Sequence, residues 1–122
     1  MKSTLYLKKE TTSLMPFFNP AEKTPQRLFP GVTIQTIWGE QIMMSFVHFE
    51  FADALVPTHQ HPHEQMGMGL EGEFELIIGD ESRTIGKGDC YCIPSNTPHS
   101  ARSLNGAARA LDIFHPVRED YT

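Results

Sequence analysis

The stretch Pro57-Thr58-His59-Gln60-His61-Pro62-His63-Glu64-Gln65-Met66-Gly67-Met68-Gly69-Leu70-Glu71-Gly72 crowds together three of the chain's six histidines. Successive side chains of an extended strand alternate between faces, so His59 and His61 send both imidazoles to one side and can close on one metal ion. His63 shares that side if the strand continues, but Pro62 lacks the N–H that a ladder needs and leaves its direction unset. Gln65 returns at a spacing from which its amide can reach back as a further ligand. Imidazole suits zinc, nickel, iron, copper or manganese, and an amide oxygen is a neutral, weaker partner. A histidine-rich surface turn is the competing reading, and the two histidines alone do not decide between them.

On either side of this stretch the pattern is that of short strands. Val32, Ile34, Thr36 and Trp38 alternate with Thr33, Gln35 and Ile37, and Gly39-Glu40 predicts a turn before a strand over 41–51. In that strand Met43, Ser45, Val47, Phe49 and Phe51 share one face, and Ile42, Met44, Phe46, His48 and Glu50 the other. Both faces are largely apolar, which predicts cover on both sides and makes His48 a core or pocket-lining residue rather than a ligand. Residues 52–56 read as a loop. Beyond Gly72, residues 73–78 and 82–85 form a hairpin about Gly79-Asp80-Glu81, and 86–89 turn into a short strand over 90–93. Residues 94–98 then deliver His99. A last hairpin is expected over 100–114, with Asn105-Gly106 as a type I′ turn. No helical period holds for three turns, and short strands separated by Gly and Pro turns predict an all-β antiparallel sandwich or barrel.

At 122 residues the chain fits one domain with a single core and pocket. Ten basic and fifteen acidic residues leave a net charge of −5 with no block of like charge, a poor match to nucleic acid. No apolar run approaches a membrane span, and charges interrupt the first residues too early for a signal peptide, so a cytoplasmic protein is expected. Cys90 and Cys92 would lie about 6.5 Å apart along a strand, where a disulfide is strained. With no second cysteine pair to complete a thiolate site, buried reduced thiols are expected. Residues 1–30 carry Pro16, Pro20, Pro25 and Pro30 among Phe17, Phe18, Leu28 and Phe29. They read as an arm that packs on the barrel or on a partner subunit, with a partly disordered tail as the alternative, followed by a single domain over 31–122.

Two blocks in this order resemble the cupin superfamily. Its first motif is G-x5-H-x-H-x3,4-E-x6-G, and His59, His61, Gln65 and Gly72 stand at matching places. Its second is G-x5-P-x-G-x2-H-x3-N, and Gly88, Pro94 and His99 match. The resemblance implies a jelly-roll β-barrel holding one divalent transition metal, nickel, zinc, manganese or iron, on His59, His61, Gln65 and His99. Three departures stand out. Asp53 replaces the first glycine, so that turn is expected to be built differently. Asn96 replaces the second motif's glycine, a mild change because Asn tolerates positive φ. Gln65 replaces glutamate and leaves all four ligands neutral, which favours Lewis-acid work over oxygen activation.

The ending Leu111-Asp112-Ile113-Phe114-His115-Pro116-Val117-Arg118, together with the histidine stretch, is similar to the pectin-degradation cupins, KdgF and its relatives. That resemblance implies conversion of 4,5-unsaturated uronates to linear 5-keto-4-deoxyuronate, with functional roles at Asp112, Phe114 and Arg118. The chemistry agrees. Asp112 and Phe114 are two apart and face one way in a strand, and a planar guanidinium fork suits a carboxylate. An Asp that merely orients a ligand histidine and a terminal ion pair from Arg118 to Glu119 or Asp120 are the alternatives. A metal-holding binder of a small acidic sugar without turnover and an iron-dependent dioxygenase are the other functional readings. Whether His48, His63 or Glu64 reaches the pocket stays open, and a homodimer is expected by the same resemblance.

Overall fold

The computed structural model describes residues 16–122. Ten strands alternate with tight turns: β1 Gln26–Phe29, β2 Val32–Trp38, β3 Met43–Phe49, β4 Leu55–His59, β5 Glu64–Glu71, β6 Phe74–Ile78, β7 Glu81–Ile85, β8 Cys90–Ile93, β9 His99–Ser103 and β10 Ala108–His115. They form a six-stranded sheet in the order β1-β2-β3-β10-β5-β8 and a four-stranded sheet in the order β4-β9-β6-β7. Every pairing is antiparallel. The sequential strands β3 and β4 lie in different sheets, as do β5 and β6, which makes the sandwich a jelly roll. Among the described residues the only helical pieces are single 3-10 turns at Pro20–Glu22 and Glu119–Tyr121.

The inward faces of the two sheets meet in a core of Val32, Phe49, Ala54, Phe74, Leu76, Ile85, Ala108 and Ala110. Phe49 and Phe74 come from opposite sheets and stack at 5.4 Å between ring centroids. Ala108, a small residue, lies cross-strand from Phe49. Each buried phenylalanine contributes about 2–3 kcal/mol of transfer free energy. Strand β10 runs from this core toward the site: its inward residues are Ala108, Ala110, Asp112 and Phe114, all buried, while Arg109, Ile113 and His115 are exposed.

Several local expectations change. Leu55 and Val56 belong to β4, not to a loop. The strand expected over 41–51 is shorter, Met43–Phe49, and Phe51 is exposed. Its Met43, Ser45 and Phe49 are buried, but Met44, Phe46 and His48 are only half-buried on the outer face, so the cover is one-sided. His48, cross-strand from Thr33 and Arg109, therefore faces away from core and pocket. Asn105-Gly106 does not close a hairpin, because β9 pairs with β4 and β6 while β10 pairs with β3 and β5. That dipeptide carries the chain between sheets, and Asn105 lacks the positive φ a type I′ turn requires. Cys90 and Cys92 are free but exposed, because β8 is an edge strand and both side chains point outward with Met66 and Met68.

Two substitutions in the motifs resolve at the backbone. Asp53 itself adopts φ 67° and Asn96 φ 60°, so both occupy the left-handed region that a glycine would take. The first turn is thus of the glycine-like kind after all, and Arg102 holds the Asp53 carboxylate at 2.7 Å. Of the arm expected over 1–30, residues 1–15 lie outside the described part. Gln26–Phe29 is an edge strand of the large sheet, and Lys23 sits 4.8 Å over the Trp38 ring.

Candidate metal centre

His59 and His99 face one another across the β4–β9 ladder. His61 lies beyond the end of β4, so the strand alternation expected to align it with His59 does not operate. A backbone hydrogen bond from the Asn96 N–H to the His61 carbonyl, 2.7 Å, fixes the connection instead. The rings converge: centroids are 4.3 Å apart for His59 and His99, 4.9 Å for His61 and His99, and 5.6 Å for His59 and His61. One ligating atom from each histidine lies within 4.8 Å of the others, a spacing that can hold one ion.

The tautomers follow from the hydrogen bonds. Carbonyls only accept, so Nδ1 of His59 donates to Pro57 O at 2.8 Å, that of His61 to His63 O at 3.0 Å, and that of His99 to Thr97 O at 2.8 Å. All three Nε2 lone pairs are left for the centre, the arrangement a metal ligand needs. Burial favours the neutral rings: it lowers the pKa of His61, with Arg118 adding to the effect, and takes His99 down to about 4. Two facts are compatible with a cation here. His99 Nε2 is buried without a partner, and His61 Nε2 faces Gln65 Oε1 at 3.1 Å, acceptor against acceptor. A divalent ion on His59, His61, His99 and the Gln65 oxygen fits this donor set.

The pocket beside the histidines is lined by Ser45, Gln65, Asp112, Phe114, Arg118 and Tyr121 among others. Neither His48 nor Glu64 lines it, while His63 packs edge-on against His61 at 5.5 Å with a buried, unpartnered Nδ1. Asp112 is buried, and burial raises its pKa to about 6 against the lowering effect of hydrogen bonds from Tyr91 and Gln65. Phe114 meets His61 edge-on at 5.7 Å and Tyr121 at 5.9 Å. The Arg118 guanidinium sits 5.1 Å from the Phe114 ring and 3.9 Å from that of Tyr121, and is buried. It makes the ion pair considered for the chain end, to Asp120 at 2.9 Å, yet its Nε is buried and unpartnered. The pocket therefore combines three histidines that could hold a metal, one guanidinium fork and one buried carboxyl group whose pKa burial raises.

Two aromatic residues of this region escape a reading of the sequence alone. Tyr121 is held by its carbonyl, which accepts from Thr36 Oγ1 at 2.8 Å across 85 positions of sequence. Tyr91 donates its hydroxyl to Asp112 Oδ1 at 2.7 Å. The alternation with buried Ile93 places Tyr91 on the inward face, but its partner follows only from the three-strand register.

Comparisons with known proteins agree with this geometry. The cupin domain family model matches residues 46–114. The pectin degradation protein KdgF of Dickeya dadantii is 33% identical over 103 residues, covering 82% of this chain and 93% of that protein. The dimethylsulfoniopropionate lyase DddQ of Ruegeria pomeroyi is 34% identical over 73 residues, 59% of this chain and 36% of that protein. Among solved structures, KdgF from Halomonas sp. superposes with a TM-score of 0.81 at 30% identity, covering 88% of this chain and 99% of that one. A fold of two antiparallel sheets, three converging histidines and a relative matched along nearly its whole length place the chain in the cupin family.

Proposed function

We propose that the protein is a metal-dependent cupin that opens the ring of 4,5-unsaturated uronates, products of pectin or alginate breakdown, to give linear 5-keto-4-deoxyuronate. The observation that carries this reading is the pocket's composition: Arg118, with a buried unpartnered Nε, stands beside an aromatic wall and the buried carboxyl group of Asp112. The similarity to two KdgF proteins supports the same chemistry.

The reaction is an isomerisation without net redox change. The C1 hydroxyl gives up its proton, C1=O forms as the C1–O5 bond breaks, O5 is left as an enolate oxygen on C5, and the enolate takes up the proton at C4 as C5=O forms. Arg118 holds the uronate carboxylate through its fork, and Phe114 offers its ring face to the sugar. Asp112 takes the hydroxyl proton and returns it at C4, the role of a carboxylate positioned as general base and then general acid. Bound at His59, His61, His99 and Gln65, a divalent ion supplies Lewis-acid polarisation of a substrate oxygen. The neutral donor set favours that use over oxidative chemistry. The proposal includes a cytoplasmic homodimer, for which light scattering should report about twice the 13.8 kDa chain mass; one chain mass at micromolar concentration would reject it.

The test is the ultraviolet band of the conjugated double bond, followed anaerobically with metal-loaded protein, chelator-stripped protein and Asp112→Ala. Loss of the band that requires both metal and Asp112 is expected. No loss beyond the spontaneous rate, with metal bound, would point to a binding protein or an oxidative cupin.

A further inference from the structure

We propose that Tyr91 is the positioning residue for Asp112, and that position 67 is glycine because the tyrosine must cross it. Tyr91 on β8, Gly67 on β5 and Asp112 on β10 lie in one cross-strand row. All three point inward, in step with the buried Gln65, Ile93 and Phe114 one repeat along. β8 and β10 are not neighbours. The phenol spans two interstrand spacings, roughly 10 Å, to reach the carboxylate. It does so by lying over β5, and its hydroxyl donates to Asp112 Oδ1 at 2.7 Å.

Glycine at 67 makes this crossing possible. A Cβ there would land on Asp112 Oδ1 and on the Tyr91 ring, and neither can withdraw without losing the hydrogen bond. The φ of Gly67 is not in the left-handed region, so the backbone does not demand a glycine. Space does. Below the tyrosine, the ring meets Phe74 edge-on at 6.3 Å, so the core fixes the phenol before it reaches Asp112. A rigid aromatic anchored at one end therefore holds the carboxylate at the other.

The consequence concerns the orientation of the carboxylate. With Oδ1 committed to the Tyr91 hydroxyl and Gln65 hydrogen-bonded to the same carboxylate, its orientation toward the pocket is set in part by a group outside the pocket lining. The kinetic part of this inference rests on the ring-opening reaction. The structural part does not.

The experiment compares metal-loaded wild type, Tyr91→Phe, Asp112→Asn and the double variant. Two readouts are used: the anaerobic ultraviolet assay, and carbonyl-13C NMR of protein labelled in aspartate, with the Asp112 resonance identified by its absence in Asp112→Asn. Tyr91→Phe is expected to lose about tenfold in kcat, the worth of one hydrogen bond to a charged group, with KM within about twofold and metal content unchanged. The Asp112 resonance should move, and the double variant should be no slower than Asp112→Asn alone, which a general loss of packing would not produce. Gly67→Ala, which retains both side chains but fills the space between them, should reproduce the kcat loss. Wild-type kcat in Tyr91→Phe with an unmoved resonance overturns the proposal, and wild-type kcat in a folded Gly67→Ala overturns its glycine part. Should wild type itself not turn over, the ring-opening reading fails, and the resonance alone then decides the role of Tyr91. If Tyr91→Phe does not fold, 3-fluorotyrosine at position 91, a stronger donor, takes its place, and an unmoved resonance again overturns the proposal.

Discussion

Replacing His99 by leucine separates a metal ligand from a structural histidine by its opposite effects with and without metal. In the metal-free chain His99 Nε2 is a buried acceptor without a partner, which costs about 1–3 kcal/mol, while its Nδ1 bond to Thr97 O returns about 1 kcal/mol. Leucine removes both, so the metal-free stability should change by no more than about 2 kcal/mol. With metal the balance differs. An ion at a free concentration about 1,000-fold above its Kd stabilises the folded chain by about 4 kcal/mol. Unfolding entropy near 2.1 cal/mol/K per residue, over 122 residues, gives about 0.26 kcal/mol/K, so wild type should gain about 16 °C in Tm. The assay is a thermal melt of each protein after chelation and after reloading with zinc, nickel or manganese. Wild type should show the gain and His99→Leu should lose most of it. A His99→Leu variant that keeps the full metal-dependent gain would refute the assignment of its Nε2 to the ion.

Stability of the metal-free chain should carry two opposed pH dependences. Asp112 is raised to about 6 from 3.8, so the folded state holds a proton that the unfolded state has lost, and stability falls as pH rises from about 4 to about 6. His99 is lowered to about 4 from 6.5, so stability falls as pH drops across that interval. Each effect is worth up to roughly 3 kcal/mol; Asp112→Asn should expose the histidine slope and His99→Leu the aspartate slope in denaturant titrations, and unchanged profiles in both would contradict the burial argument. Arg118→Lys replaces the planar fork by a point charge and should raise KM for an unsaturated uronate about tenfold or more while kcat changes less; a KM unchanged in that variant would remove the arginine from substrate binding. Phe74→Ala, deep in the core against Phe49, should cost about 3–5 kcal/mol in urea unfolding, and a loss below about 1 kcal/mol would mean that the two sheets are not packed through this pair.

The alternation of apolar residues and the Gly and Pro turns announced an antiparallel β architecture, because period and turn chemistry are local properties of the chain. The same holds for the His59-x-His61 cluster and for the positive φ at Asn96, which its short polar side chain tolerates. Position in the fold was less legible. Asn105-Gly106 has the composition of a hairpin turn, yet the two strands it joins bind different neighbours, since packing of the sheets outweighs a two-residue preference. Cys90 and Cys92 read as buried because nothing local marks β8 as an edge strand. His48 read as a core or pocket residue because both faces of β3 are apolar, and parity alone does not say which face meets the second sheet.

Residue types capable of holding a metal, a carboxylate and a proton are a matter of sequence, since chemistry belongs to side chains. Their assembly is tertiary. His99 reaches His59 through a cross-strand pair, His61 is aligned by a hydrogen bond from Asn96, and Asp112 is oriented by a tyrosine two strands away over a glycine. Each of these depends on contacts between residues distant along the chain, and a linear pattern of period two or three records only which face a residue takes, never which partner waits on it.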